Sequence, residues 1–401
     1  MSEPKESQQA IRQVYLETSG RLHSSFRSII TYPPQGYRFF SRDYYDILGI
    51  RGIKNRQAIA SIAPRVSNVI PLKLARSLLG YFSKPPAGTD LVLTSGLIDF
   101  RRERWIVAAE DAINSFLGLR TDIRLYHPVV EKALELDNCK AVIYCFDATK
   151  RSLTNTYNLG RARSKLRHLP LAVPLVKEKK RSAKKTVDIV LLGSANFRIP
   201  SWFYAKGGHL LVKAFLNLKK EFDNISLTML NSVPSDYASI LKSEPRIFVP
   251  GTPVLGEDLN NLLWHMDICA LPTIVTPWTA FLDAMNRELP IVTTACHANK
   301  EVVQHNETGL IVDVPPELDL IVDNFEIPNR KALTRIDKVW LKDNEPLVRG
   351  IADSLRVLIK DELLRRRLGE NGRKRLEPGG RFSIETRNLV LKDILDRAMA
   401  G

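Results

Sequence analysis

Two stretches carry side chains whose types and spacing could do chemistry. In the first, a strand ending at Gly193-Ser194 is followed by a loop, and Lys206-Gly207-Gly208 opens a helix. Glycines at such a junction let backbone approach a ligand closely, and a lysine beside them supplies a point charge for phosphate. The pattern fits neither the six-residue glycine fingerprint of dinucleotide folds nor the phosphate-binding P-loop. Taken without context, Lys206 reads as a surface lysine at a helix start. In the second stretch, LPTIVTPWTAFLDAMNRELPIV over 271–292, Thr276 can cap a helix with its hydroxyl and Pro277 suits the first helical position. The amides of Trp278, Thr279 and Ala280 would then point away from the sheet, and a helix start of this kind attracts phosphate. Asp283 lies about two turns beyond Thr276 on the same helix face, where it could accept bonds from ribose hydroxyls. Its alternative partner is Arg287, four residues on. His209 and His297 fall in segments that could border the same site, although a lone histidine is more often structural.

The elements that must position these residues alternate. From residue 186 onward, TVDIVLLGS, ISLTMLNS, RIFVPGTPV, DICALPTI, LPIVTTA and TGLIVDV read as strands. The segments between them, including HLLVKAFLNLKKEF, DYASILKSE, LNNLLWHM, PWTAFLDAMNR and KEVVQHNE, read as helices. Strand and helix in turn imply a parallel, doubly wound sheet, whose ligands bind beyond the carboxyl ends of its strands. In the first half SSFRSIITYP, DLVLTSG and KAVIYCFDA are strand candidates, and RWIVAAEDAINSFLG and HPVVEKALELDN are helical. RARSKLRHLPLAVPLVKEKKRSAKKT, with Pro170 and Pro174 among many lysines and arginines, reads as an interdomain linker. The tail from LRVLIKDELLRRRLGENGRKRLE to FSIETRNLVLKDILDRAMAG reads as two helices.

A chain of 401 residues suggests two domains. Its 44% hydrophobic and 26% charged content is ordinary for a globular protein, whereas a formal net charge of +15 favours an anionic partner. Cys139, Cys145, Cys269 and Cys296 sit singly in apolar runs with no C-x-x-C spacing, as small core residues in a reducing compartment do. The polar opening MSEPKESQQAIRQ lacks the apolar segment of a secretory signal, and no apolar run approaches the ~18 residues that span a bilayer. These features lead us to expect a cytoplasmic protein. Lys177 to Lys185 with Arg101, Arg102 and Arg104 are candidates for peripheral contact with an anionic membrane. Nucleic acid is not expected as a partner, because basic and aromatic residues do not interleave along one strand face.

DICALPTIVTPWTAFLDAMNRELPIVTTACHANKEVVQHNETGLIVDV resembles the C-terminal half of the family 4 (group 1) glycosyltransferases. Asp267, Pro272, the Asp283-Ala284-Met285 run, Leu289-Pro290, Glu301-Val302-Val303 and Thr308-Gly309-Leu310 match that family's pattern in order. VLLGS and YAKGGHLLVKAF are similar to its strand end and lysine-glycine helix entry, and the resemblance spans roughly residues 186–313. The first half looks like an archaeal-type branch of the group. In departures from the pattern, Val275 or Thr276 stands where the family has its first glutamate, and Glu288 stands where a glycine commonly precedes Leu-Pro.

The resemblance implies the GT-B arrangement, an α/β protein of two Rossmann-like doubly wound domains facing a cleft. Residues 1–180 would form the acceptor-side domain, 181–380 the nucleotide-sugar domain, and 381–401 a helix returning to the first. It implies a hexosyltransferase-type enzyme that moves a sugar from a nucleoside diphosphate sugar to a glycan or lipid-linked acceptor with retention of configuration. No metal or other cofactor is implied, and the sequence contains no Asp-x-Asp to bridge a divalent cation to diphosphate. Carried onto matching positions, Lys206 and Asp283 are the catalytic pair, Lys206 on the diphosphate and Asp283 on the ribose. Gly193, Ser194, Arg198, Thr276, Thr279 and Ala280 line the donor site, with Ser194 in the slot of an arginine that Arg198 would replace. The alternative is a catalytically silent relative that binds a sugar nucleotide or a partner.

Overall fold

The computed structural model describes residues 11–18, 24–41, 70–82, 84–110, 112–117, 123–179, 184–193, 201–315, 318, 338–342 and 344–400. They fall into two compact units, the first running to Ala172 and taking in the helix Ile384–Ala400, the second running from Val173 to Ser383.

The first unit is built on a six-stranded parallel sheet of β1 (Arg12–Thr18), β2 (Tyr37–Phe40), β3 (Leu91–Ser95), β4 (Trp105–Ala109), β5 (Cys139–Tyr144) and β6 (Leu166–His168), in the order β2-β1-β3-β4-β5-β6. Alternate side chains leave opposite faces. Val14, Leu16, Leu91, Leu93, Ile106 and Ile143 pack with Leu391, Ile394 and Leu395 of the C-terminal helix on one face. Val92, Trp105, Val107 and Val142 pack with Val130 and Leu134 on the other.

Several elements here differ from their sequence reading. Ser24–Thr31 is a helix, not a strand, with Phe26 and Ile29 buried one turn apart. Trp105–Ala109 is a central strand rather than the start of a helix. A run covered on both faces has no alternation to betray it. The front of the expected linker is the turn Gly160–Lys165 and the edge strand β6, which pairs with β5 from Val142↔Leu166 to Tyr144↔His168. Arg101 cannot reach a membrane. It is buried, binds both carboxylate oxygens of Asp99 at 2.8 and 2.6 Å, and pairs with Glu17.

The second unit holds β7 (Val187–Leu191), β8 (Ile225–Met229), β9 (Ile247–Phe248), β10 (Ile268–Leu271), β11 (Ile291–Thr294) and β12 (Gly309–Val312), all parallel, in the order β12-β11-β10-β7-β8-β9. The order turns back beside β7, which places the topological switch between β7 and β10. Val173–Val176 joins this unit ahead of the boundary expected at 180/181, because Asn286 accepts from the Val176 amide at 3.0 Å and donates to the Pro174 carbonyl at 2.8 Å. The tail forms three helices, Glu345–Lys360, Glu362–Lys374 and Ile384–Ala400. The first two part at Asp361, whose carboxylate leaves the helical path to cap the second by accepting from the Leu364 amide at 2.8 Å.

Among the described residues no helix is long and apolar enough to cross a membrane. Cys139, Cys269 and Cys296 are buried and Cys145 is partly buried, all as free thiols; burial pushes Cys139 and Cys145 up to about 12, so they stay protonated at neutral pH.

Candidate functional site

The carboxyl ends of β7, β8, β10 and β11 collect the polar side chains of the second unit. After β7 the chain returns through the helix Ser201–Ala205 to Lys206-Gly207-Gly208 and the helix Gly208–Leu218. Gly207 is the N-cap of that helix at φ 69°, and a Cβ there would stand 1.8 Å from the Pro272 carbonyl at the end of β10. A Cβ on Gly208 would stand 2.6 Å from the Phe203 ring. Packing therefore calls for glycine at both positions, against β10 across the switch point at Gly207 and against the preceding helix at Gly208. Gly193 is required in the same way, since its Cβ would meet the Leu230 carbonyl at 1.4 Å.

Lys206 is not a surface residue. It is 3% exposed, and its ammonium donates to the carbonyls of Leu192 at 3.1 Å and Gly193 at 2.8 Å. Among the described residues no carboxylate pairs with it. Burial lowers its pKa to about 8, so it carries its charge at neutral pH, held by two carbonyl dipoles. Ser194 and Arg198, both expected at the donor site, lie outside the described residues.

Thr276 does not cap the next helix. The helix Trp278–Met285 has Pro277 at its N-cap with no side-chain cap bond. The Thr276 hydroxyl bonds His297 Nδ1 instead and accepts from the Ala298 amide at 3.0 Å. Of the two amides expected to hold phosphate, that of Ala280 donates to the Pro277 carbonyl at 2.8 Å, leaving that of Thr279 with no protein acceptor among the described residues. Asp283 takes its alternative partner. Arg287 Nη1 reaches Oδ1 at 3.1 Å, and the same guanidinium holds Asn260 Oδ1 at 2.9 Å. Burial raises the Asp283 carboxyl pKa, and the guanidinium works against that rise. With its side chain 42% exposed, the carboxylate keeps a face toward solvent.

The loop that opens this helix is held by residues the sequence reading passed over. Thr273 donates to the Ala205 carbonyl at 3.0 Å, and its own carbonyl accepts from Thr294 at 2.5 Å and from Asn299 at 3.1 Å. Their signal was polar residues placed directly after apolar strands. His297 adopts φ 56°, a left-handed conformation that favours glycine, and burial lowers its pKa to about 3. It is a neutral ring whose Nδ1 shares a hydrogen bond with the Thr276 hydroxyl. His209 is structural. Its Nε2 donates to the Trp340 carbonyl at 2.8 Å, and burial lowers its pKa to about 4. Glu288, at φ 56°, ends the helix as a glycine would: the amides of Leu289 and Glu288 bond back to Ala284 and Met285 at 3.0 Å each. Asp267, matched in the family pattern, lies at the opposite, amino end of β10 and accepts from the Asp188 amide at 2.7 Å.

The strand ends thus present a buried ammonium, a helix amide and a partly open carboxylate beside the switch between β7 and β10. Residues 186–321 match the family model described as glycosyl transferases group 1. The fold is GT-B. Anabaena HepE, solved with UDP and glucose, superposes with a TM-score of 0.57 at 12% identity, over 96% of this chain and 99% of that one. A glycosyltransferase from Rickettsia africae gives 0.56 at 13% identity, over 96% and 98%. Sucrose-phosphate synthase from Thermosynechococcus elongatus gives 0.55 at 14%, over 86% and 80%. At these identities the likeness carries the GT-B fold and nothing finer. No curated protein sequence matches the chain.

Proposed function

We propose that this protein is a glycosyltransferase whose second unit binds a nucleoside diphosphate sugar at the carboxyl ends of β7 and β10. Transfer would be to a glycan or lipid-linked acceptor, with retention of configuration, in the cytoplasm. The observation that carries the reading is the Lys206 ammonium, buried with no carboxylate partner among the described residues, at the switch point of a domain that matches the group 1 glycosyltransferases. A diphosphate oxygen supplies the counter-charge that the protein withholds, and the Thr279 amide adds a donor from the helix start. As the sugar departs, negative charge grows on the diphosphate, and fixed positive groups in a desolvated site stabilise it without reorganising. This leaves no task for a divalent cation. Asp283, anchored by Arg287, would meet the ribose through its solvent-facing side.

The second reading, a silent relative that binds the sugar nucleotide without transferring it, draws on Thr276. Where the resemblance has an acid, this chain has Val275 or Thr276, and the Thr276 hydroxyl is already engaged with His297 and Ala298. Purified protein offered UDP- and GDP-sugars with an acceptor screen separates the two. Release of nucleoside diphosphate in the presence of chelator, with the product's anomeric configuration read by NMR, is the expected result. Thermal stabilisation by UDP or GDP with no turnover would establish the silent reading instead.

A further inference from the structure

Beyond Lys206, the carboxyl edge holds a side chain, Asn231, whose two polar atoms both lack a hydrogen bond among the described residues. After β8 the chain continues through Leu230 and Asn231 past the end of β7: the Leu230 amide donates to the Leu191 carbonyl at 2.9 Å, and a Cβ on Gly193 would stand 3.2 Å from the Asn231 amide nitrogen. Asn231 is 3% exposed, yet neither its Oδ1 nor its Nδ2 has a hydrogen-bond partner among the described residues. Other buried atoms without a hydrogen bond among the described residues, such as Trp105 Nε1, His209 Nδ1, Asn299 Oδ1 and Ser77 Oγ, are single atoms of their side chains. Among the described residues Asn231 alone has two such atoms, a donor nitrogen and an acceptor oxygen. A carboxamide buried in this way gives up its bonds to water and gains none, which a fold tolerates where a ligand later restores them. Its position beside Gly193, whose carbonyl holds Lys206 at 2.8 Å, puts it at the carboxyl edge where such sheets bind ligands.

We propose that Asn231 is a recognition residue for the nucleoside part of the donor, an inference that rests on the reading of this unit as a nucleoside diphosphate site. Its Nδ2 donates and its Oδ1 accepts, so it pairs with a ligand edge that offers an acceptor beside a donor. A nucleobase N–H next to a carbonyl has that pattern, as do the hydroxyls of ribose. Phosphate, which only accepts, does not. The assignment makes Asn231 a specificity residue and divides labour at the site: Lys206 takes the charge and Asn231 reads what the charge is attached to.

Replacing Asn231 by Leu, of nearly the same size, removes both unmade bonds. The unliganded protein then becomes more stable, with a melting midpoint up by about 2 to 4 °C, while nucleotide binding weakens. Calorimetry with UDP, GDP, ADP, CDP and inorganic pyrophosphate on wild type, Asn231→Leu and Asn231→Ala tests this. We expect the best nucleotide to lose about 10- to 100-fold in affinity and pyrophosphate to lose none. Loss confined to one base assigns the contact to the base edge; equal loss across all four assigns it to ribose. Undiminished nucleotide affinity in both variants, or equal loss for pyrophosphate, overturns the role of Asn231 and leaves the glycosyltransferase reading standing. A wild-type protein that binds neither nucleotides nor pyrophosphate overturns both.

Discussion

The two edges of the second sheet treat a lysine in opposite ways. At the amino edge, Lys184 sits between the carboxylates of Asp188 at 2.5 Å and Asp267 at 2.8 Å. At the carboxyl edge, Lys206 is more deeply buried and has two carbonyls and, among the described residues, no carboxylate. The first arrangement is electrically complete and does structural work. The second keeps a desolvated cation in a state that only an incoming anion completes, so it spends stability on readiness to bind. The difference explains why charge alone, at +15 for the chain, is a poor guide to the site. Three of the basic side chains named as membrane candidates are committed elsewhere: Lys184 to its two carboxylates, Lys179 to Glu257 and Asn261, and Arg101 to Asp99 and Glu17.

The largest effect should come from exchanging the charges at the two edges for methionine. Lys206→Met is expected to weaken pyrophosphate binding by about 100-fold and leave the protein no less stable. Lys184→Met should leave binding within about twofold and lower stability by about 1 kcal/mol, both read by calorimetry and denaturant melts. Equal losses of affinity in the two variants would erase the distinction. A pH series sharpens it. The folded value of Lys206, about 8, lies below its value of about 10.4 in an unfolded chain. Between those values the unfolded state binds the extra proton, so the contribution of Lys206 to stability rises with pH, while pyrophosphate affinity falls as its charge is lost. Subtracting the Lys206→Met curve isolates both slopes; a wild-type affinity flat from pH 7 to 9.5 would contradict the assignment. The smallest effect is expected at Thr276→Val, which keeps the shape but breaks the bonds to His297 and Ala298. Stability should drop by about 1 to 2 kcal/mol with pyrophosphate affinity unchanged, because the carboxyl edge between β10 and β11 is held by neutral hydrogen bonds.

The legibility of the sequence followed the same division between local pattern and assembled environment. The strands β7, β8, β10, β11 and β12 and the helices Gly208–Leu218, Gly256–Trp264 and Trp278–Met285 could be read because short apolar runs alternate regularly with amphipathic ones. In the first unit Trp105–Ala109 is buried on both faces, and neither strand nor helix period survives such burial. The short strand β6 was hidden because its basic residues resemble a linker. At the site, sequence identified Lys206 and Asp283 as residue types suited to phosphate and ribose, but not their partners. Burial of Lys206 on two carbonyls depends on Gly207 fitting against Pro272, a contact between segments 65 positions apart that no local pattern encodes. Asn231 drew no attention because an asparagine after a strand is ordinary turn chemistry; only the absence of its hydrogen bonds sets it apart.

The helix Ile384–Ala400 has a bearing on how the protein comes into being. It supplies Leu391, Ile394, Leu395 and Ala398 to one face of the first sheet, ties Tyr37 to Asp396 at 2.5 Å and brings Arg387 to the Tyr32 carbonyl at 2.9 Å. On the ribosome, β1 emerges before the second unit, yet the apolar face it shares stays uncovered until the second unit, up to residue 383, has been translated. The unit begun earlier is completed later, and the stretch in between has the whole of that interval in which to fold.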